Sequence, residues 1–142
     1  MFEKEFDLLE EYITTHNLKH SSQRNDILKN FLKEARHLTV EELYNILKEK
    51  GFNIGIATVY RTLKLFSEIG ISKELKFEDG ISRYESNFGI SHHDHLICLK
   101  CGKIIEIESD EIENLQQKIS LEHNFILKSH KLELYGFCKE CQ

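Results

Sequence analysis

The chain has 142 residues, 40% hydrophobic and 30% charged, which suits one ordinary domain or two very small ones with a packed core. No apolar run is long enough to span a bilayer, and the glutamate-rich opening lacks the basic, apolar, small-residue order of a secretory signal, so a cytoplasmic protein with reduced thiols and no membrane partner is expected. The formal net charge of −5 excludes a uniformly basic nucleic-acid binder, but 19–36 is locally basic, with Lys19, Arg24, Lys29, Lys33 and Arg36 against Asp26 and Glu34.

Phe2, Phe6, Leu9 and Ile13 recur at helical spacing and predict an amphipathic helix over 3–17. Ser21 or Ser22 can cap a second helix whose inner face carries Ile27, Leu28, Phe31 and Leu32. Thr39 followed by Glu42 forms a capping box for a third, lined by Leu43, Ile46 and Leu47 and stopped by Gly51. A fourth spans 57–69, with Val59, Leu63 and Phe66 inward and Gly70 as its stop.

The period then changes. Segments 72–77 and 81–85 flank Glu78-Asp79-Gly80, whose Asp-Gly pair signals a hairpin turn. Helices followed by a β-hairpin make a winged-helix arrangement, with the helix before the hairpin as the recognition helix. Residues 87–91 read as a hinge. Beyond it, 93–99 and 103–107 read as strands around a Cys98-Leu99-Lys100-Cys101-Gly102 knuckle. Ser109 can cap a helix containing Ile112, Leu115 and Ile119, and 125–135 reads as a final strand. A three-stranded sheet with one helix is too small to be comfortable alone, so pairing with a second copy through this half is expected. The fold class is therefore α+β, an N-terminal winged-helix domain (1–85), a hinge (86–91) and a small α/β dimerisation and metal-binding domain (92–142).

Two constellations carry chemistry. Cys98 with Cys101, and Cys138 with Cys141, are C-x-x-C pairs whose four thiolates suit tetrahedral zinc. The two-residue spacer points both sulfurs of a pair to one centre, and Gly102 permits the tight knuckle. Two surface dithiols or a redox motif are the plainer alternatives. The second constellation is His92-His93-Asp94-His95. On a strand, alternate residues share a face, so His93 and His95 point one way and His92 and Asp94 the other. That geometry permits two metal sites on opposite faces, with Glu106, Glu108, Glu111, Glu113 and His130 all candidates to complete them. His16, His20 and His123 stand alone and are read as ordinary surface or core residues.

The segments LKHSSQRNDIL, HLTVEELY, IGIATVYRTL, HHDHLICLKCGKIIE and LYGFCKEC together resemble the ferric uptake regulator family over nearly the whole chain. The resemblance implies a homodimeric, or higher-oligomeric, metal-dependent repressor of double-stranded operator DNA, and no enzyme. Carried over by position, it implies structural Zn2+ at Cys98, Cys101, Cys138 and Cys141. It implies a regulatory site for Fe2+ or Mn2+, with Zn2+ or Co2+ accepted in vitro, at His37, Glu85, His93, His95 and Glu106. It implies an additional site at His92, Asp94, Glu113 and His130. Lys19 matches a minor-groove lysine, Tyr60 and Arg61 match a base-contacting pair, and Arg24 fits a backbone contact. Glutamates rather than aspartates at 85 and 106 favour iron sensing over peroxide sensing, and a zinc-responsive member is the other near alternative. One departure is that two consecutive histidines precede the aspartate where some members have three. A zinc hydrolase would need a general base and a cleft that the sequence does not offer, and a storage or thiol-redox protein would leave the winged-helix half unexplained.

Overall fold

A computed structural model describes residues 1–34, 36–88 and 92–142. The chain divides into two compact units, Met1–Ile90 and Ser91–Gln142.

The first unit holds helices α1 (Glu3–Thr15), α2 (Ser22–Glu34), α3 (Val40–Glu49) and α4 (Ile56–Ile69), then strands β1 (Ser72–Lys76) and β2 (Ser82–Ser86). Local chemistry sets each boundary. α1 stops two residues short of its expected end because Asn17 takes a left-handed φ of 53°, and the Leu18 N–H closes back on the Ile13 carbonyl at 3.0 Å. Ser21 Oγ accepts from the Arg24 N–H at 3.3 Å at the head of α2. Thr39 Oγ1 accepts from the Glu42 N–H at 3.1 Å at the head of α3. Gly70, at φ 93°, ends α4, and the N–H groups of Gly70 and Ile71 both return to the Phe66 carbonyl. The inward faces read from the sequence converge on one core that includes Leu9, Ile13, Ile27, Leu28, Phe31, Leu43, Leu47, Val59, Leu63 and Phe66, with Tyr84 of β2 fully buried among them.

β1 and β2 pair antiparallel, from Ser72↔Ser86 to Lys76↔Ser82. Asp79-Gly80 does mark the turn, but the connection is longer than a two-residue loop. The Gly80 N–H bonds the Phe77 carbonyl at 3.0 Å with Gly80 at φ 76°. The Asp79 carboxylate accepts from the Ile81 N–H at 3.0 Å and from both terminal nitrogens of Arg83, at 3.3 and 2.9 Å. An isolated antiparallel bridge joins Leu38, in the α2–α3 connection, to Tyr84, with N–H···O distances of 2.9 and 2.7 Å. Of the residues expected to form the hinge, Ser86 ends β2, and Asn87 is tied to the first unit, its side chain donating to the carbonyls of Gly70 (2.9 Å) and Ser72 (3.0 Å). The Phe88 N–H donates to Ser86 Oγ at 3.2 Å, and 89–91 lie outside the described residues.

The second unit holds β3 (Asp94–Cys98), β4 (Ile104–Ile107), α5 (Asp110–Glu122), β5 (Glu133–Gly136) and a 3-10 turn, Lys139–Cys141. The sheet order is β4-β3-β5, with β4 antiparallel and β5 parallel to β3. The strands differ from the expected ones at two places. The final strand does not run over 125–135. It is confined to Glu133–Gly136, because its partner β3 offers pairing positions only from His95 to Cys98. Asn124 (φ 52°) and the Phe125 N–H, bonded to the Ser120 carbonyl at 2.8 Å, close α5 instead of opening a strand. β3 itself begins at Asp94, so His92 and His93 lie just before the strand. Among the described residues of this unit, the buried apolar side chains are Ile97 and Cys98, while Leu115, Ile119, Phe125, Ile126, Leu134 and Phe137 are exposed.

Candidate metal centres and nucleic-acid face

The four cysteines converge although the two pairs are far apart in sequence. β3 delivers Cys98, the knuckle with Gly102 at φ 76° delivers Cys101, and β5 runs alongside β3 into Cys138 and the turn carrying Cys141. One sulfur from each lies within 4.8 Å of all the others. Cys101 Sγ and Cys138 Sγ are 3.7 Å apart. A tetrahedron with metal–sulfur bonds of about 2.3 Å has edges of about 3.8 Å, so the Cys101–Cys138 separation matches a zinc–thiolate edge and the donor set suits zinc. The N–H groups of Cys101 and Cys138 donate to Cys98 Sγ at 3.5 and 3.4 Å. These two backbone donors bring the Cys98 thiol down to about 6, favouring the thiolate that a metal binds. Cys141, hydrogen-bonded to Cys138 in a crowd of thiols, is pushed up to about 12, as expected where several like sulfurs compete to ionise around one centre.

The strand-alternation argument holds although two of its histidines precede the strand. His92 Nε2 lies 3.5 Å from Asp94 Oδ1, and the His93 and His95 rings meet edge to face with centroids 4.8 Å apart. On the first of these faces, His130 and Glu113 complete a four-residue group. His130 Nε2 is 2.9 Å from His92 Nε2 and 3.2 Å from Asp94 Oδ1, and Glu113 Oε1 is 3.3 Å from both imidazole nitrogens. Edges of 2.9–3.5 Å bracket the roughly 3.3 Å edge of a tetrahedron built on metal–ligand bonds of about 2.0–2.1 Å. Glu113, the residue the resemblance implies, thus separates from Glu111 and Glu108, which strand alternation alone leaves open. On the other face, His93 Nε2 lies 3.5 Å from Glu106 Oε1, across the register pair His95↔Glu106.

In the first unit, His37 Nε2 and Glu85 Oε2 are 2.8 Å apart, and both side chains are buried, with 6% and 8% exposure. The Leu38–Tyr84 bridge explains the pairing. His37 immediately precedes one bridge residue and Glu85 immediately follows the other, so closing the bridge brings imidazole and carboxylate together. Nothing in the local sequence signals this non-local contact.

The surface of α4 carries Tyr60, half exposed, beside an exposed Arg61. Tyr60 is therefore not packed into the helical core. Arg24 donates from Nη1 to the Lys19 carbonyl at 2.7 Å, which fixes the loop carrying Lys19. Arg24, Tyr60 and Arg61 line one open surface depression of about 490 Å³. Lys64 lines it too, and its partner Glu74 on β1 was not singled out by the sequence. The only local signal was the four-residue helical interval between Tyr60 and Lys64.

The family model described as "Ferric uptake regulator family" matches residues 15–135. A ferric uptake regulation protein of Neisseria gonorrhoeae is 44% identical over 126 residues, covering 88% of this chain and 87% of that protein. The solved structure of the Helicobacter pylori ferric uptake regulator, reported to have three functional metal-binding sites, superposes with a TM-score of 0.87 at 34% identity, covering 99% of this chain and 93% of that one. A zinc-bound manganese uptake regulator is 46% identical with a TM-score of 0.75, covering 92% and 98%. The chain belongs to the ferric uptake regulator family of metal-binding, DNA-binding repressors.

Proposed function

We propose that this protein is an iron-responsive transcriptional repressor that binds palindromic operator DNA as a dimer when a regulatory metal is bound. The observation that carries the reading is the division of the ligands. The first unit presents a buried His37–Glu85 pair, and the second presents His93, His95 and Glu106. Neither set alone supplies a full shell, and together they offer imidazole and carboxylate donors suited to Fe2+ or Mn2+. Ligands drawn from both units would restrict the freedom of one unit relative to the other, favouring arrangements in which two recognition helices enter successive major grooves.

Cys98, Cys101, Cys138 and Cys141 would hold structural zinc, and His92, Asp94, Glu113 and His130 an additional ion. That makes three sites, the number reported for the Helicobacter pylori relative. The exposed Leu115, Ile119, Leu134 and Phe137 support a second copy covering this unit. Tyr60 and Arg61 would read bases, with Lys19 in the minor groove and Arg24 near the backbone. The protein would act as a regulator rather than an enzyme. No helix among the described residues is long and apolar enough to cross a membrane, which agrees with a cytoplasmic site of action. The 46% identity to a manganese uptake regulator favours one second reading, in which manganese is the metal sensed.

The test is selection from a random duplex pool, anaerobically, with Fe2+, Mn2+ or a chelator. The reading expects a palindrome with half-sites about one helical turn or a multiple apart, enriched only with metal. Equal enrichment with chelator, or none at all, contradicts it.

A further inference from the structure

Lysines on a DNA-facing helix ordinarily serve as free cations for phosphate. Lys64 is not free. Its Nζ donates to both carboxylate oxygens of Glu74 on β1, at 3.2 and 2.9 Å, and lies 5.8 Å from the centroid of the Tyr60 ring one turn earlier on α4. The ammonium is thus shared between a carboxylate that cancels its charge and the face of an aromatic ring. Glu74 is itself fixed, since it stands in cross-strand register with Tyr84, which has no exposed surface and is bridged to Leu38. Tyr60 is half exposed, so its ring is not enclosed by the core.

We propose that Lys64 is a positioning residue for base recognition: clamped by Glu74 of the wing, it holds the Tyr60 ring in place on the exposed face of α4. The inference rests on the reading of α4 as the recognition helix. Lys64 and Glu74 contribute no phosphate contact. They narrow the orientations of the ring that meets the base edges, and they join the recognition helix to β1, the strand paired with the one that carries Glu85.

The experiment measures affinity of the metal-loaded, full-length protein for the duplex enriched by the wild type and for a scrambled duplex of equal length, across a salt series. The variants are Glu74→Gln, Lys64→Met, their combination, Lys64→Arg, and the exchange Lys64→Glu with Glu74→Lys. Positioning predicts that Glu74→Gln and Lys64→Met each lower affinity for the enriched duplex about tenfold, in the range of one base contact. Scrambled-duplex affinity and the salt slope should not change, and the combined variant should be no worse than either single one. Lys64→Arg should retain specificity. The exchange should restore thermal stability without restoring specificity, because it places a carboxylate rather than a cation against the ring. A lysine that merely contacts phosphate gives the opposite result. Glu74→Gln then tightens binding to both duplexes, and Lys64→Met weakens both and lowers the salt slope by about one per subunit. Either that pattern or unchanged specificity in both single variants overturns the proposal. If the wild type enriches no palindrome, the operator reading fails first and takes this inference with it.

Discussion

Removing the zinc proposed for the four cysteines should unfold the second unit while leaving the first folded. The expectation follows from how unequally the two units bury apolar surface. In the first, fifteen buried apolar residues form one continuous cluster. In the second, the buried apolar side chains among the described residues are Ile97 and Cys98. A fully buried aliphatic side chain contributes about 1.5–3 kcal/mol, so within one protomer Ile97, with the Cys98 thiol beside it, is too little to offset the ordering of the segment. Structural zinc contributes about 10–16 kcal/mol of apparent binding free energy at neutral pH, comparable to or larger than the roughly 5–15 kcal/mol stability of a whole domain. Chelation, or Cys101→Ser, should therefore abolish the protection of the β3–β5 amides against hydrogen exchange, including Leu99 N–H, which donates to the Gly136 carbonyl at 2.8 Å. Amides buried in α2–α4 should stay protected. Retained protection of β3–β5 after verified metal loss refutes the reasoning, as does simultaneous loss in both units.

Gly70→Ala should cost about 1–2 kcal/mol, seen as a lower midpoint in denaturant, because the residue sits at φ 93° while an added Cβ meets nothing within 4 Å, leaving backbone strain as the whole effect. Hydrogen bonding from Lys64 is the largest influence on the Glu74 carboxyl, which lies below its ordinary value of 4.5. Its contribution is thus fully present above that value and is lost as pH falls through the lowered one. The stability gap between wild type and Glu74→Gln, about 0.2–1 kcal/mol for such a partly exposed pair, should shrink as pH is lowered past 4.5 in parallel urea titrations. His130→Ala should remove one equivalent of bound Co2+ with tetrahedral visible bands and leave the cysteine-bound ion in place. Loss of both signals together would show that the two sites are not separate.

Much of this molecule is legible from local pattern. Helix faces, the Ser21, Thr39 and Ser109 caps and the Gly70 stop depend on residues a few positions apart, and the structure places them close to where their chemistry points. The cysteine cluster is legible because two C-x-x-C pairs together supply the four thiolates of one tetrahedral site. What local pattern leaves open is non-local. The last strand was drawn too long because a run such as Phe125-Ile126-Leu127 has strand-like composition, whereas the length of β5 is set by β3, its only pairing partner within the described residues. Glu113 could not be chosen over Glu111 by composition, since only the placement of α5 beside β3 and His130 decides it. The pairing of His37 with Glu85 depends on a single β-bridge, and that of Lys64 with Glu74 on the turn between α4 and the wing.

The central claim is that a metal bound through His37 makes this protein competent to bind its operator. It is tested most directly by an anaerobic anisotropy titration of the enriched duplex with wild type and with His37→Ala, each with and without Fe2+ or Mn2+. Metal should tighten wild-type binding by at least about a hundredfold, the effect of roughly 2.7 kcal/mol of coupling, and His37→Ala should lose this gain while keeping zinc at the cysteines and the dimeric state. Wild-type binding that is equally tight without metal, or full metal activation of His37→Ala, would contradict it.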